Sequence, residues 1–468
     1  MNENARQLIR LGQQTQASGH PLQAVAYYRQ AVAAAPESGV AEHNLASALG
    51  DSGLWADAET HTALALRKGL DAPETWLIRG RALQGLDKAD EAERAFREAL
   101  KRRPAYADAH RDLAQQVWML TGDRAKMLRA VDEALARTPQ DVGLWLVKAQ
   151  SLETSGDVAG AWESLLALSR KQPGDARLSN FASQLALKAG HAEDALALAS
   201  SAARAAPSEP VVLITLAEAQ LAKGFAREAL QTADALLARQ PTNQHAIALK
   251  ATAWRILGDA RFHELYDYGS MVRPYELDTP KGWSSLAAYV DDLRKALNGV
   301  HRHKAHPFAQ SLRHGSQSIN ILHNPLPAMR GIREALDGPI RRHMAMLGTG
   351  ADALRMRNTG NYDFQGMWSV RLHSGGYHID HVHPQGWLSS ACYVETVQAN
   401  GKEGWIGFGK PGSPTSPALE AEHFVEPKPG MLVLFPSYMW HGTIPFSGDQ
   451  TRMTFAFDLV PGATQKSV

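Results

Sequence analysis

The feature that most constrains this chain is self-similarity with a period of about 34 residues, running from the N-terminus to about residue 258. Small residues recur at Gly12, Ala46, Gly80, Ala114, Ala149, Ser183 and Ala217, the positions at which two helices must approach closely. A second series, Ala24, Ala58, Ala92, Ala125, Ala161, Ala195 and Ala229, is expected to open the second helix of each unit. Pro36, Pro104, Pro139, Pro173, Pro207 and Pro241 are expected to close it, because proline lacks an N–H and clashes with the preceding turn. Gly69 and Leu70 stand where the second unit would have its proline, and that repeat is expected to be slightly lengthened. Units of this kind stack on their neighbours, so half of the chain is committed to a solenoid.

Trp76 and Trp145 fall near the start of a first helix, and Tyr28 and Phe96 fill a bulky position of the second. With these residues the pattern resembles tetratricopeptide (TPR) repeats, seven units over roughly residues 5 to 241. Asn243 to Leu257 reads as one more amphipathic helix without a partner, suited to capping the last apolar face. Stacked helix pairs make an extended groove that performs no chemistry, so the expected partner is a protein or peptide bound there; a spacer or self-association surface is the other reading.

At 468 residues the chain exceeds one ordinary core. Its 49 Lys and Arg against 48 Asp and Glu lack the excess positive charge of a polyanion binder, so no nucleic-acid partner is expected. The lone Cys392 precludes an intramolecular disulfide, and the start MNENARQLIRLGQQ has no apolar core of the secretory type. No apolar stretch approaches the roughly 18 to 20 residues that span a bilayer. A cytoplasmic protein without a membrane association is expected.

After about residue 259 the alanine-rich helical pattern stops, which divides the chain into 1–258 and 259–468. Helices are predicted from Ser284 and from Met329. From Gly366 the pattern turns to short β-type runs, MWSVRLHS, LSSACYVETV, EGWIGFG, GMLVLFP and RMTFAFDLV, separated by turn residues. The expected fold class is thus α + β in two domains: an all-α superhelix, then a barrel or double-sheet domain with flanking helices, wide enough inside for a metal and a small cosubstrate.

The densest set of possible ligands is GGYHIDHVHPQGW, with His378, Asp380, His381 and His383. Alternate residues of a strand share a face, so His381 and His383 can address one ion. His441, after the run GMLVLFP, is the best third ligand; a regular His378 and Asp380 pairing is the alternative. Arg452, on RMTFAFDLV, would be an expensive buried charge if it points inward, and its planar fork matches a carboxylate. Tyr393 and Ser390 are candidate hydrogen-bond donors to such a ligand, though Tyr393, like Trp368 and Phe455, alternates with apolar neighbours as core residues do. His306, His323 and His373 read as surface or hydrogen-bonded structural residues, and Cys392 as a buried, inert thiol.

VRLHSGGYHIDHVHP, LSSACYVE and PKPGMLVLFPSYMWHGTIPFSGDQTRMTFAFDLV together resemble the 2-oxoglutarate and Fe(II) oxygenase family related to prolyl hydroxylases, over about residues 366 to 461. HPFAQSLRHGSQS, His306 to Ser318, is similar to that family's helical lead-in. The resemblance implies a double-stranded β-helix, or jelly roll. It also implies Fe(II), 2-oxoglutarate and O2 as cofactors, with iron ligands at His381, His383 and His441 and a cosubstrate clamp at Arg452. His383 stands where the wider superfamily has a carboxylate. The implied activity is a dioxygenase hydroxylating a protein or peptide side chain. Two other readings are a catalytically silent adaptor or sensor with a metal-binding jelly roll, and a small-molecule oxygenase docked to a complex through its repeats.

Overall fold

The structure is a computed structural model that describes residues 1–463 apart from Pro173, Asn320 and Ala399, with the backbone only at Ile319 and His323. It forms two compact units, Met1–Ser155 and a second beginning at Gly156.

In the first unit, helices Glu3–Ala17 and Pro21–Ala34, Gly39–Asp51 and Trp55–Arg67, Pro73–Gly85 and Ala89–Arg102, and Ala107–Thr121 and Arg124–Arg137 pair in sequence order, followed by Val142–Thr154. The small-residue series is what lets the pairs close. A Cβ on Gly12 would lie 2.5 Å from the Tyr28 ring, and one on Gly80 would lie 2.3 Å from Phe96. The bulky residue of the second helix therefore fills the space that a side chain on the first would need. Helices ending at Ala34, Arg102 and Arg137 each stop two residues before Pro36, Pro104 and Pro139. Ala125 departs from the expectation, since it is exposed and Met127, 2% exposed, takes the buried position. The fourth unit, not the second, carries one extra residue between its small position and the next, Ala114 to Ala149, which shifts the second helix by that much.

The second unit opens with helices Val158–Lys171, Ala176–Lys188, Ala192–Ala205, Pro210–Ala222, Ala226–Arg239 and Gln244–Leu257. Helix ends at Ala205 and Arg239 again precede Pro207 and Pro241 by two residues, while Pro173 lies outside the described residues. Helix Gln244–Leu257, capped by the Asn243 side chain on Ala246 N–H, is no free end. Ile247, Ala248, Leu249, Ala251 and Trp254 join the same apolar core as the sheet that follows.

Nine strands are described: β1 (Arg273–Glu276), β2 (Leu312–Ile319), β3 (Tyr362–His378), β4 (Leu388–Glu395), β5 (Ile406–Phe408), β6 (His423–Val425), β7 (Met431–Pro436), β8 (His441–Thr443) and β9 (Arg452–Pro461). They make an antiparallel sheet in the order β1-β7-β4-β9-β3-β2 and a smaller one in the order β6-β5-β8. The segment expected as a helical lead-in, His306 to Ser318, instead contributes β2, paired along β3. Backbone pairing at the sheet edge overrides local propensity there. Gly315 is required, because a Cβ on it would lie 2.4 Å from Arg371 O.

Alternation along β9 separates two environments. Met453, Phe455, Phe457 and Leu459 pack in one core with Tyr289, Leu293 and Leu297 of helix Leu286–Val300 and with Leu336 and Ile340 of helix Ile332–Leu347. Arg452, Thr454, Ala456 and Asp458 point the other way. There Val370 and Leu372 of β3 meet Leu312, Val397 and Phe446 in a separate apolar cluster. No described helix is long and apolar enough to cross a membrane.

Candidate metal centre

His381 follows β3, and its backbone exchanges hydrogen bonds with His441 at the start of β8, 2.9 Å from His381 N to His441 O and 3.1 Å in return. His383 N–H donates to Ser437 O at 2.9 Å, which fixes the next inward residue against the end of β7. One ligand nitrogen from each of His381, His383 and His441 lies within 4.8 Å of the others.

All three rings are oriented through Nδ1. His381 Nδ1 lies 2.8 Å from Ile379 O, His441 Nδ1 lies 2.9 Å from Met439 O, and His383 Nδ1 lies 2.8 Å from the Asp458 carboxylate. A carbonyl or carboxylate can only accept, so each Nδ1 carries a proton, and in the neutral ring it is Nε2 that presents the lone pair a metal takes. His383 Nε2 and His381 Nε2 are 3.2 Å apart. With both rings neutral, two lone pairs face each other at that distance, an arrangement that a cation held between them would favour. Nitrogens bound at about 2.0 to 2.1 Å to a common ion are separated by roughly 3.0 to 3.4 Å, so the residues fit a metal. Burial and the neighbouring imidazole lower His381 to about 3, and burial holds His441 well below the usual histidine value, so both are neutral and ligand-ready at physiological pH.

His378 and Asp380 lie outside this convergent group. The His378 ring stacks on His381 at 6.1 Å, with its Nδ1 2.9 Å from Ser311 Oγ. The Asp380 carboxylate, which burial pushes up to about 6, sits against Gly442, where a Cβ would fall 2.6 Å from Oδ1.

Arg452 is 2% exposed, its Nε has no hydrogen-bond partner, and among the described residues it has no ion-pair partner. Its guanidinium carbon lies 5.2 Å from the centroid of the Tyr393 ring, and the buried Tyr393 hydroxyl also lacks a partner. A buried cation that meets only a tyrosine hydroxyl and no anion is costly for a folded chain and complementary to an anion. Ser390 does not share this surface. It faces the opposite side of β4, where its hydroxyl donates to Phe457 O at 2.9 Å and accepts from Phe457 N–H at 2.8 Å. Its neighbour Ser389 points to the metal side and donates to Asp458 at 2.7 Å. A one-residue error in strand parity interchanges such neighbours.

Asp458, Ser389, Ser437 and Trp368, whose ring stacks on His383 at 5.7 Å, are the residues that sequence reasoning missed as parts of the site. The signal for Asp458 was present: it stands six residues beyond Arg452 on one strand, hence on the same face. Of the remaining residues, His373 is exposed, His306 is 6% exposed and Cys392 is fully buried. The His323 side chain lies outside the described residues.

The family described as "Putative 2OG-Fe(II) oxygenase" matches residues 366–458, and the tetratricopeptide repeat family matches 77–142 and 146–210. The chain thus carries TPR repeats followed by an oxygenase-family domain, and repeats of that kind generally mediate protein–protein interaction. No curated protein matches it. Among solved structures, a tetratricopeptide repeat protein from Parabacteroides merdae is 16% identical with a TM-score of 0.37, over 53% of this chain and 98% of that one. The MamA protein is 20% identical with a TM-score of 0.30, over 38% and 96%. A thermophilic TPR protein of Thermus thermophilus is 19% identical with a TM-score of 0.33, over 39% and 99%.

Proposed function

We propose that this chain is an Fe(II)- and 2-oxoglutarate-dependent dioxygenase that hydroxylates a protein or peptide side chain brought to it by the repeats. The observation that carries the reading is the convergence of three imidazoles, one ring nitrogen of each within 4.8 Å of the others and the two nearest 3.2 Å apart. In this reading the catalytic module is 259–468, a jelly roll with its core at about 366–461, and His381, His383 and His441 hold the metal. Bound iron, 2-oxoglutarate and O2 supply the oxidation that converts C–H to C–OH as the cosubstrate is decarboxylated to succinate.

The chain's own residues bind, orient and shield. Arg452 takes the distal carboxylate of 2-oxoglutarate through its fork, and Tyr393 donates its hydroxyl proton to the same carboxylate. Leu372, Val370 and Phe446 keep water from the clamp and so strengthen both bonds. An adaptor that has lost turnover needs no such clamp, which favours an enzyme over a silent metal module.

The test is succinate formation by the purified chain, required to depend on both Fe(II) and 2-oxoglutarate. Metal binding without succinate would leave the adaptor reading. Recruitment is tested by removing Met1–Ser155, which forms its own compact unit. Loss of that groove should slow hydroxylation of the intact partner, since tethering raises its effective concentration, while turnover of 2-oxoglutarate alone continues. Equal rates on the partner would mean that these repeats serve another purpose.

A further inference from the structure

We infer that Asp458 is a positioning residue of the metal centre, supplying through His383 the negative charge that none of the three direct ligands brings. This rests on the reading of His381, His383 and His441 as ligands. The three rings are anchored differently. His381 and His441 each lean on a neutral backbone carbonyl, whereas His383 leans on a carboxylate.

Asp458 is 8% exposed, and His383 is its ion-pair partner among the described residues, with no lysine or arginine on it. A buried carboxylate facing a single imidazole, with no lysine or arginine beside it, is sparsely compensated. A divalent ion on the far nitrogen of that imidazole provides the missing positive charge, and the carboxylate in turn raises the ring's basicity toward the ion.

The aspartate is itself held. Ser389 Oγ donates to it at 2.7 Å and lies 2.8 Å from Ser437 Oγ. Gly386 leaves room for this arrangement, since a Cβ there would fall 2.2 Å from Ser437 Oγ and 3.4 Å from Asp458 Cβ. Ser437 also accepts the His383 backbone N–H, so one residue supports both members of the pair. Three neutral ligands leave a divalent ion with its full charge, and a ligating carboxylate would cancel half of it. Here the carboxylate acts one imidazole further out.

The experiment uses the full chain and Mn(II), a divalent probe that avoids oxidation, with dissociation constants from competition against a chelator. Asp458→Asn keeps an oxygen to accept the His383 Nδ1 proton and removes only the charge. The expected result is roughly 10- to 100-fold weaker Mn(II) binding, as for loss of a carboxylate behind a metal-bound histidine, with the melting temperature of the metal-free protein retained. Ser389→Ala, which loosens the aspartate without discharging it, should weaken binding less. Unchanged Mn(II) affinity in Asp458→Asn, or an equal loss in both variants accompanied by a matching fall in metal-free stability, overturns the proposal. Should the wild-type chain fail to bind Mn(II), or bind it undiminished after His381→Ala, the ligand reading fails and this inference falls with it.

Discussion

The three histidines and Arg452 meet at the same sheet face, yet they are opposites in how their polar atoms are satisfied. Every histidine Nδ1 has an acceptor at 2.8 or 2.9 Å, so the rings are locked before any ion arrives. Arg452 Nε and the Tyr393 hydroxyl are buried with no well-formed hydrogen bond, only each other nearby. The first arrangement is preorganised, and a metal bound there would gain affinity because no ordering remains to be done. The second leaves a buried cation without an anion in the free protein, and an anionic ligand bound there would gain affinity by neutralising it.

The comparison breaks most sharply at the ligands. His381→Ala or His441→Ala should weaken metal binding by more than the roughly 10- to 100-fold typical of losing an outer hydrogen-bond partner, measured as metal retained after gel filtration. Asp380→Ala should be mild. Loss of metal in Asp380→Ala with retention in His383→Ala would move the centre to His378 and Asp380.

Arg452→Met tests the other half. Removing two charge-assisted hydrogen bonds, each about 1.5 to 3 kcal/mol, should weaken 2-oxoglutarate by at least about 100-fold in a binding titration while the metal stays bound. Because the free protein no longer buries an unpaired cation, its melting temperature should hold or rise. Unchanged affinity for 2-oxoglutarate would remove the clamp role.

Acid provides a third probe. Burial lowers His301, His343 and His381 to about 3, below the ordinary value near 6.5, so the unfolded chain binds more protons than the folded one between those limits. Stability of the metal-free protein is therefore complete above about pH 6.5 and falls as the pH drops toward 3. At pH 5 each such histidine costs about 2 kcal/mol, to be read from urea midpoints at pH 7 and pH 5. A midpoint that does not move would show that these rings are not neutral in the fold.

The smallest effect is expected where the repeats touch the centre. Trp440, beside His441, donates its indole N–H to Thr252 at 3.0 Å on helix Gln244–Leu257, and its backbone N–H to Tyr266 Oη at 3.0 Å. Arg255 of the same helix bonds Gly409 O and Glu420 O and pairs with Glu422. Thr252→Val should cost about 1 to 3 kcal/mol by leaving a buried donor unpaired, with a modest loss of metal affinity through His441. A loss of stability with metal affinity unchanged would show that this contact serves folding alone.

The period of the first half, its small positions and its prolines were legible because repeats advertise themselves: each unit must solve the same packing problem with the same residue types. The misplaced Ala125, and the lengthening expected in the second unit but found in the fourth, both follow from a single extra residue that shifts a helix without altering composition. That His381 and His383 would share a face was legible through spacing, since alternation places them together in any extended strand; their role as metal ligands is the proposal made above. Which donor backs each ring was not legible. Asp458 reaches His383 across 75 positions of sequence, and Ser389 rather than Ser390 faces it, because register between β4 and β9 assigns the faces. Likewise the segment from Leu312 to Ile319 has no strong strand pattern of its own and becomes β2 only by pairing with β3. Local periodicity by itself fixed the helices and the reactive residue types. Only long-range backbone pairing decided which side chains meet, because each strand can present either face until a partner strand holds its register.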